Sequence, residues 1–185
     1  MICFGMEEIM KCTSAEASKL LRKLIEEKAT LEAKEERSRV FIAAVGEDIE
    51  SVRPDYNYQE TQDALEAVDK KIRLLKHTIN CFNTTHMVPG FDMTIDQILV
   101  YIPQLSERKA RLLNMKDRLP KQRVELDRYG SRTSSNLIEY TYANYDISVV
   151  EAEYERVADI LAKAQTALDV INNTETMDIP EYCEK

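Results

Sequence analysis

The sequence predicts a mainly α protein, an elongated antiparallel helical bundle with a short β-hairpin or extended arm near residues 124–145. Three observations lead there. The 185 residues include only 4 Gly and 5 Pro and no Trp, with 44% hydrophobic and 31% charged; this excludes a disordered chain, a collagen and a turn-rich β-sandwich. Long stretches carry apolar residues at a spacing of three and four, the mark of amphipathic helices. Between two of them the pattern turns to tyrosine-rich alternation, which suits short strands. The length fits one folding unit over residues 1–185.

Residues 1–12 read as an N-terminal tail. Glu7 and Glu8 interrupt its apolar residues, and no basic region precedes them, so no signal peptide is expected. The first helix is expected over 13–45. Thr13 with Glu16 three residues on forms a capping box, and Leu20, Leu21, Leu24 and Leu31 recur at helical spacing. Its end is open: Val40–Val45 (VFIAAV), closed by Gly46, reads equally as a last helical turn or a short strand. A connector containing Pro54 leads to the second helix, 57–82, with Leu65, Val68, Ile72, Leu75 and Ile79 on one side. Residues 83–92 (NTTHMVPGFD) demand a loop, and Thr94 is placed to cap a third helix over 94–119.

That third helix carries Ile98, Leu99, Ile102, Leu105, Leu112 and Leu113, and Pro103 within it predicts a kink or break. The arm at 124–145 follows, with Tyr129, Tyr140, Tyr142 and Tyr145, a Gly130-Ser131 turn and the alternation Leu137, Glu139, Thr141, Ala143. Asp146 caps the last helix, 146–173, whose apolar side runs from Val149 and Val150 to Leu168 and Ile171. Residues 174–185, with Pro180, read as a loosely held tail. Helices of roughly 22 to 28 residues would be ~33 to 42 Å long, and thin bundles of that length leave apolar flanks. A homo-oligomer is therefore expected.

Charge sorts the possible partners. The net charge of −8 argues against a general grip on nucleic acid or an anionic membrane, and no apolar run approaches the ~20 residues of a membrane span. A cytoplasmic protein of a bacterium, phage or prophage-like element is the expectation. The acidity is uneven: residues 106–138 hold nine basic and four acidic side chains. Two readings of this cationic segment compete. It either pairs with the acidic first and last helices, or Arg128, Tyr129, Arg132, Tyr140 and Tyr142 form a pocket for a phosphorylated aromatic ligand. Guanidinium forks match phosphate geometry, and tyrosine faces stack on bases.

A second candidate is the polar stretch Asn80, Asn83, Thr84, Thr85 and His86, which either holds a small polar ligand or satisfies the ends of the flanking helices. Cys3, Cys12, Cys81 and Cys183 show no metal-ligand or disulfide spacing, and His77 and His86 are the only histidines; no metal and no cofactor are expected. Walker A, GxGxxG, HExxH, CxxC and EF-hand patterns are absent, as is the ExxH pattern of di-iron bundles. No catalytic residue is assigned.

Four segments, INCFNTTHMVPGFDMTIDQIL, LSERKARL, RYGSRTSSNLIEYTYANYDI and QTALDVINNTETMDI, form a pattern along the chain. Together they resemble the septicolysin family of small bacterial helical proteins of unassigned activity. The matching positions are Asn80, Asn83, Thr84, Gly90, Thr94, Arg128, Tyr129, Arg132, Leu168, Asp169, Ile171 and Asn173. The chain departs from the family pattern at Gly130 and at Asn136–Ile138, and lacks a tryptophan at the C-terminal asparagine. The resemblance implies a binding role, because the matches fall on the polar stretch, the Arg-Tyr arm and the end of the last helix, adding Asn173 to the candidate ligand residues. Lysis, which the family name suggests, is not carried over, since no pore-forming segment or secretion signal is recognisable.

The function expected is a non-enzymatic, homo-oligomeric protein capturing a small anionic ligand, one that sequesters a nucleotide-derived immune signal as a phage or prophage anti-defence protein. Direct nucleic-acid or membrane binding is not expected. The alternatives are an acidic helical inhibitor or adaptor of another protein, and an enzyme on a nucleotide or sugar without a short motif.

Overall fold

The computed structural model describes residues 9–124 and 138–180. Its elements run β1 (Ile9–Thr13), α1 (Ser14–Ser38), α2 (Ile49–Val52), α3 (Tyr58–Thr85), α4 (Ile95–Lys116), β2 (Lys121–Arg123), β3 (Tyr140–Tyr142), α5 (Ile147–Thr174) and β4 (Thr176–Pro180). The protein is mainly helical, with a short antiparallel β-hairpin, as its sequence predicts. Where length alone led to one folding unit, the packing forms two compact units: residues 1–96 with 168–185, and residues 97–167.

In the first unit α1 begins with the predicted capping box. The Thr13 hydroxyl accepts from the Glu16 backbone N–H while the Glu16 carboxylate accepts from the Thr13 N–H at 2.8 Å, so orphan donors at the helix start are satisfied reciprocally. α1 and α3 are antiparallel. Lys28 meets Asp69 at 2.8 Å, and seven residues on Glu35 accepts from Gln62 at 2.9 Å, seven residues back along α3. Ala17 and Leu24 of α1 pack with Val68, Ile72 and Leu75 of α3.

The rest of this core comes from segments expected to be tails. β1 and β4 pair antiparallel, with Met10 opposite Ile179 and Cys12 opposite Met177. Alternation turns those four side chains toward the α1–α3 pair, whose core they join, and leaves Lys11 and Asp178 outside. Each strand is five residues long, too short for its own pattern to stand out. The burial comes from their pairing, which brings together the two ends of the sequence.

Three further boundaries differ. α1 stops at Ser38 with Arg39 as its C-cap, so Val40–Val45 is neither helix nor strand; it lies outside any regular element before a turn at Gly46, whose φ is +90°. α3 continues to Thr85 rather than ending at 82, through residues expected to form a loop. α4 runs unbroken through Pro103 instead of breaking there. It ends at Lys116, short of the expected 119.

The second unit is built on α4 and α5. Leu105 and Leu112 pack against Val150, Val157 and Leu161. The antiparallel sense follows from Arg108 meeting Glu153 at 2.6 Å while Met115 accepts from the Tyr145 hydroxyl at 2.8 Å. Asp146 is the predicted cap of α5: its carboxylate accepts from the Ser148 N–H and hydroxyl at 2.8 and 2.6 Å. These bonds hold it below the usual carboxylate range, the Ser148 hydroxyl contributing most. Between the helices, β2 and β3 pair with Lys121 opposite Tyr142 and Arg123 opposite Tyr140. Backbone bonds from Val124 to Glu139 and from Ala143 to Pro120 extend the pairing at both ends.

Candidate functional site

The predicted ligand residues divide between the two units. Asn80, Asn83, Thr84, Thr85, His86 and Asn173 belong to the first, Tyr140 and Tyr142 to the second. Arg128, Tyr129 and Arg132 lie outside the described residues, in the segment of sequence between β2 and β3.

α3 runs on through Asn83, Thr84 and Thr85 and ends at the His86 cap, which corrects the reading of 83–85 as loop. Its threonines are turned on their own helix: the Thr84 hydroxyl donates to the Asn80 carbonyl at 3.0 Å and the Thr85 hydroxyl to the Cys81 carbonyl at 2.7 Å. The local side-chain bonds that make threonine a loop former serve here to satisfy the last carbonyls of α3. His86 is the C-cap, its N–H donating to the Phe82 carbonyl and its ring stacked on Phe82 at 4.5 Å between centroids. Its Nε2 lies 3.6 Å from the Glu175 carboxylate. Asn173 donates to the Asp169 carbonyl at 2.7 Å, another helix-end bond. Asn83 Oδ1 is buried and has no hydrogen-bond partner among the described residues. The loop beyond closes on itself: Ile95 donates to the His86 carbonyl at 3.0 Å, Met87 bridges Thr94, and Gly90 turns the chain with φ +82°.

The hairpin offers a different arrangement. Tyr140 and Tyr142, two residues apart on one strand, project from the same face with ring centroids 6.4 Å apart. The Lys121 ammonium stands 4.1 Å from the Tyr140 ring centroid and 5.5 Å from that of Tyr142. All six residues of the two strands are exposed. Lys121 was one of nine cations in the segment; its place between the tyrosines follows from register, because it opposes Tyr142. That register is the signal the sequence holds once the first strand is started at 121 rather than at 124.

The cations of α4 are distributed otherwise. Arg108 is paired with Glu153, which also takes a bidentate contact from Arg156 at 2.7 Å; Arg156 above all, then Arg108, holds the Glu153 carboxyl below its usual range. Lys109 and Lys116 stand over the Tyr154 ring at 5.6 and 4.9 Å, an attraction between ammonium and ring face. Among the described residues, neither Lys121 nor Arg123 is in an ion pair. Among the described residues, the expected pairing with the acidic helices takes up Arg108.

Further features stand apart from these residues. His77 and Cys81 lie one turn apart on α3 with Sγ 3.6 Å from Nε2, a pair the i,i+4 spacing announces. Grooves of about 210, 190 and 290 Å³ lie on the first unit, with Cys12, Tyr56 and Asp69 among their respective lining residues, and none of the three is lined by a predicted ligand residue. Among the described residues no three His, Cys, Asp or Glu side chains are grouped to hold a metal ion, and no helix is long and apolar enough to cross a membrane.

Against this geometry, comparison with known proteins defines a fold and no more. No protein-family model matches the chain, and no curated protein matches it. It is similar in fold to a functionally unknown conserved protein from Corynebacterium diphtheriae whose crystal structure is known. The TM-score is 0.56 at 18% identity, over 91% of this chain and 99% of that one.

Proposed function

We propose that this protein is a non-enzymatic binding protein that captures a small anionic aromatic ligand of nucleotide type on the β2–β3 hairpin. One observation carries the reading: Lys121 is held over two exposed tyrosine rings, at 4.1 and 5.5 Å, at the base of the segment that carries Arg128, Tyr129 and Arg132. A planar base stacks on an open tyrosine face, and the ammonium turns from the ring to a phosphate oxygen, a stronger partner for a cation than a ring quadrupole. Arg128 and Arg132 add two guanidinium forks a few residues away in sequence. Capture without turnover would serve sequestration of a nucleotide signal, the role an anti-defence protein needs.

Calorimetry with a panel of linear and cyclic nucleotides tests this. A saturable heat is expected for at least one of them. Tyr142→Ala then weakens it about five- to 150-fold, since stacking is worth about 1–3 kcal/mol per base. Lys121→Ala weakens it further, Arg128→Ala with Arg132→Ala abolishes it, and mass spectrometry recovers the ligand unchanged. Absence of heat with every nucleotide removes the reading, and recovery of a converted nucleotide makes the protein an enzyme.

A further inference from the structure

The hairpin face that carries Tyr140 and Tyr142 holds two cations as well as two rings. Lys121 lies opposite Tyr142 and Arg123 opposite Tyr140, and residues directly opposite in an antiparallel pair share a face. The backbone bonds from Ala143 to Pro120 and from Val124 to Glu139 fall on the positions to either side. Lys121 with Tyr142 and Arg123 with Tyr140 are therefore the pairs without hydrogen bonds between them, where side chains come closest. Alternation turns Gln122 and Thr141 to the other face, and with them Glu139, the one acid among residues 121–124 and 139–142. The result is a two-by-two grid, rings along β3 and cations along β2, with no carboxylate of these strands on it.

The tilt of the rings decides how many bases the grid takes. A single base sandwiched between two rings needs them parallel and separated by about twice the ~3.4 Å stacking distance. Here the centroids are 6.4 Å apart but the planes meet at 52°, so a flat base lying against one ring leaves the other. Each ring has open surface of its own, Tyr140 being 43% and Tyr142 61% exposed. Each therefore stacks a separate base. Two residues along a strand span about 6.8 Å, which sets the two bases side by side along β3 instead of on each other, as on the aromatic platforms that hold single strands. The cations repeat at the same interval along β2, one across from each ring, and each is placed to take a phosphate.

We infer that the ligand of the hairpin is a linear dinucleotide, its two bases on Tyr140 and Tyr142 and its two phosphates on Arg123 and Lys121. The inference rests on the capture reading above and narrows its ligand to this class. The net charge of −8 opposes a longer strand, because every added nucleotide brings one more phosphate to an anionic protein.

Calorimetry of the full chain with 5′-phosphorylated diadenylate and with ADP tests it, since both carry two phosphates and only the first has a second base. The dinucleotide is expected to bind about five- to 150-fold more tightly, the gain from one further stacked base. Tyr140→Ala or Tyr142→Ala brings the dinucleotide down to the affinity of ADP. Tyr140→Phe with Tyr142→Phe keeps both ring faces and preserves the preference, and Arg123→Gln weakens the dinucleotide about tenfold. Equal affinity for ADP and the dinucleotide, or loss of the preference in the double phenylalanine variant, overturns the inference and leaves nucleotide capture standing. Hexa-adenylate binding about a hundredfold more tightly than the dinucleotide overturns it as well, making the hairpin a binder of single strands. No heat from either probe also overturns it, and the wider nucleotide panel then decides whether capture itself stands.

Discussion

Ile179→Ala measures how firmly the C-terminal strand belongs to the first core. Ile179 is 0% exposed and sits opposite Met10 in the β1–β4 pair, whereas Ile9, on the same pair, is 67% exposed. Truncation to alanine removes three carbons. At about 0.8 kcal/mol per buried CH₂ the transfer loss is about 2.4 kcal/mol, and the cavity left under α1 and α3 brings the expected total to about 3–4 kcal/mol. Urea unfolding followed by far-UV circular dichroism reads this as a midpoint lowered by about 1.5–2 M if m is about 2 kcal/mol/M. Ile9→Ala is the control: it shares the backbone pairing but not the burial, and stays within about 0.5 kcal/mol of wild type. Equal midpoint shifts for the two variants would refute the assignment of β4 to the core and return residues 174–185 to a loosely held tail.

Other consequences follow from single features. Thr13→Ala removes the N-cap of α1 and should lower stability by about 0.5–2 kcal/mol in the same urea assay. Its partner sets a pH dependence: the Thr13 N–H, and after it the Thr13 hydroxyl, hold the Glu16 carboxyl below its usual value of 4.5. A depressed folded-state pKa stabilises above the unfolded value and stops doing so as pH falls through the folded one. The margin of wild type over Glu16→Gln should therefore be full at pH 7 and shrink progressively as pH falls below 4.5, a sign that unfolding at pH 7 and at acid pH checks. Gly90→Ala meets no atom within 4 Å but must adopt φ +82°, so its cost of about 1 kcal/mol is conformational, and a second substitution to Asn should recover part of it. Arg108→Ala breaks the α4–α5 pair with Glu153, yet Arg156 retains that carboxylate, so thermal unfolding should register a loss below about 1 kcal/mol.

What could be read from the residues depended on how local its cause was. The capping box at Thr13 and the Asp146 cap depend on side chains within three residues of one another, and both appear as predicted. The leucine and valine stripes that form the α1–α3 and α4–α5 cores depend on a period of 3.6 sustained over many turns, and they too were legible. The misses share a different origin. Asn83, Thr84 and Thr85 have the composition of a loop, but a threonine hydroxyl can close a turn or bond back to the fourth carbonyl before it, and the packing of Ile79 and Phe82 on the first core favours the second. The β1–β4 pair joins Ile9–Thr13 to Thr176–Pro180 across nearly the whole sequence, so neither strand carries evidence of the other. Lys121 over Tyr140 and Tyr142 is a matter of register, and a strand start placed three residues late conceals it.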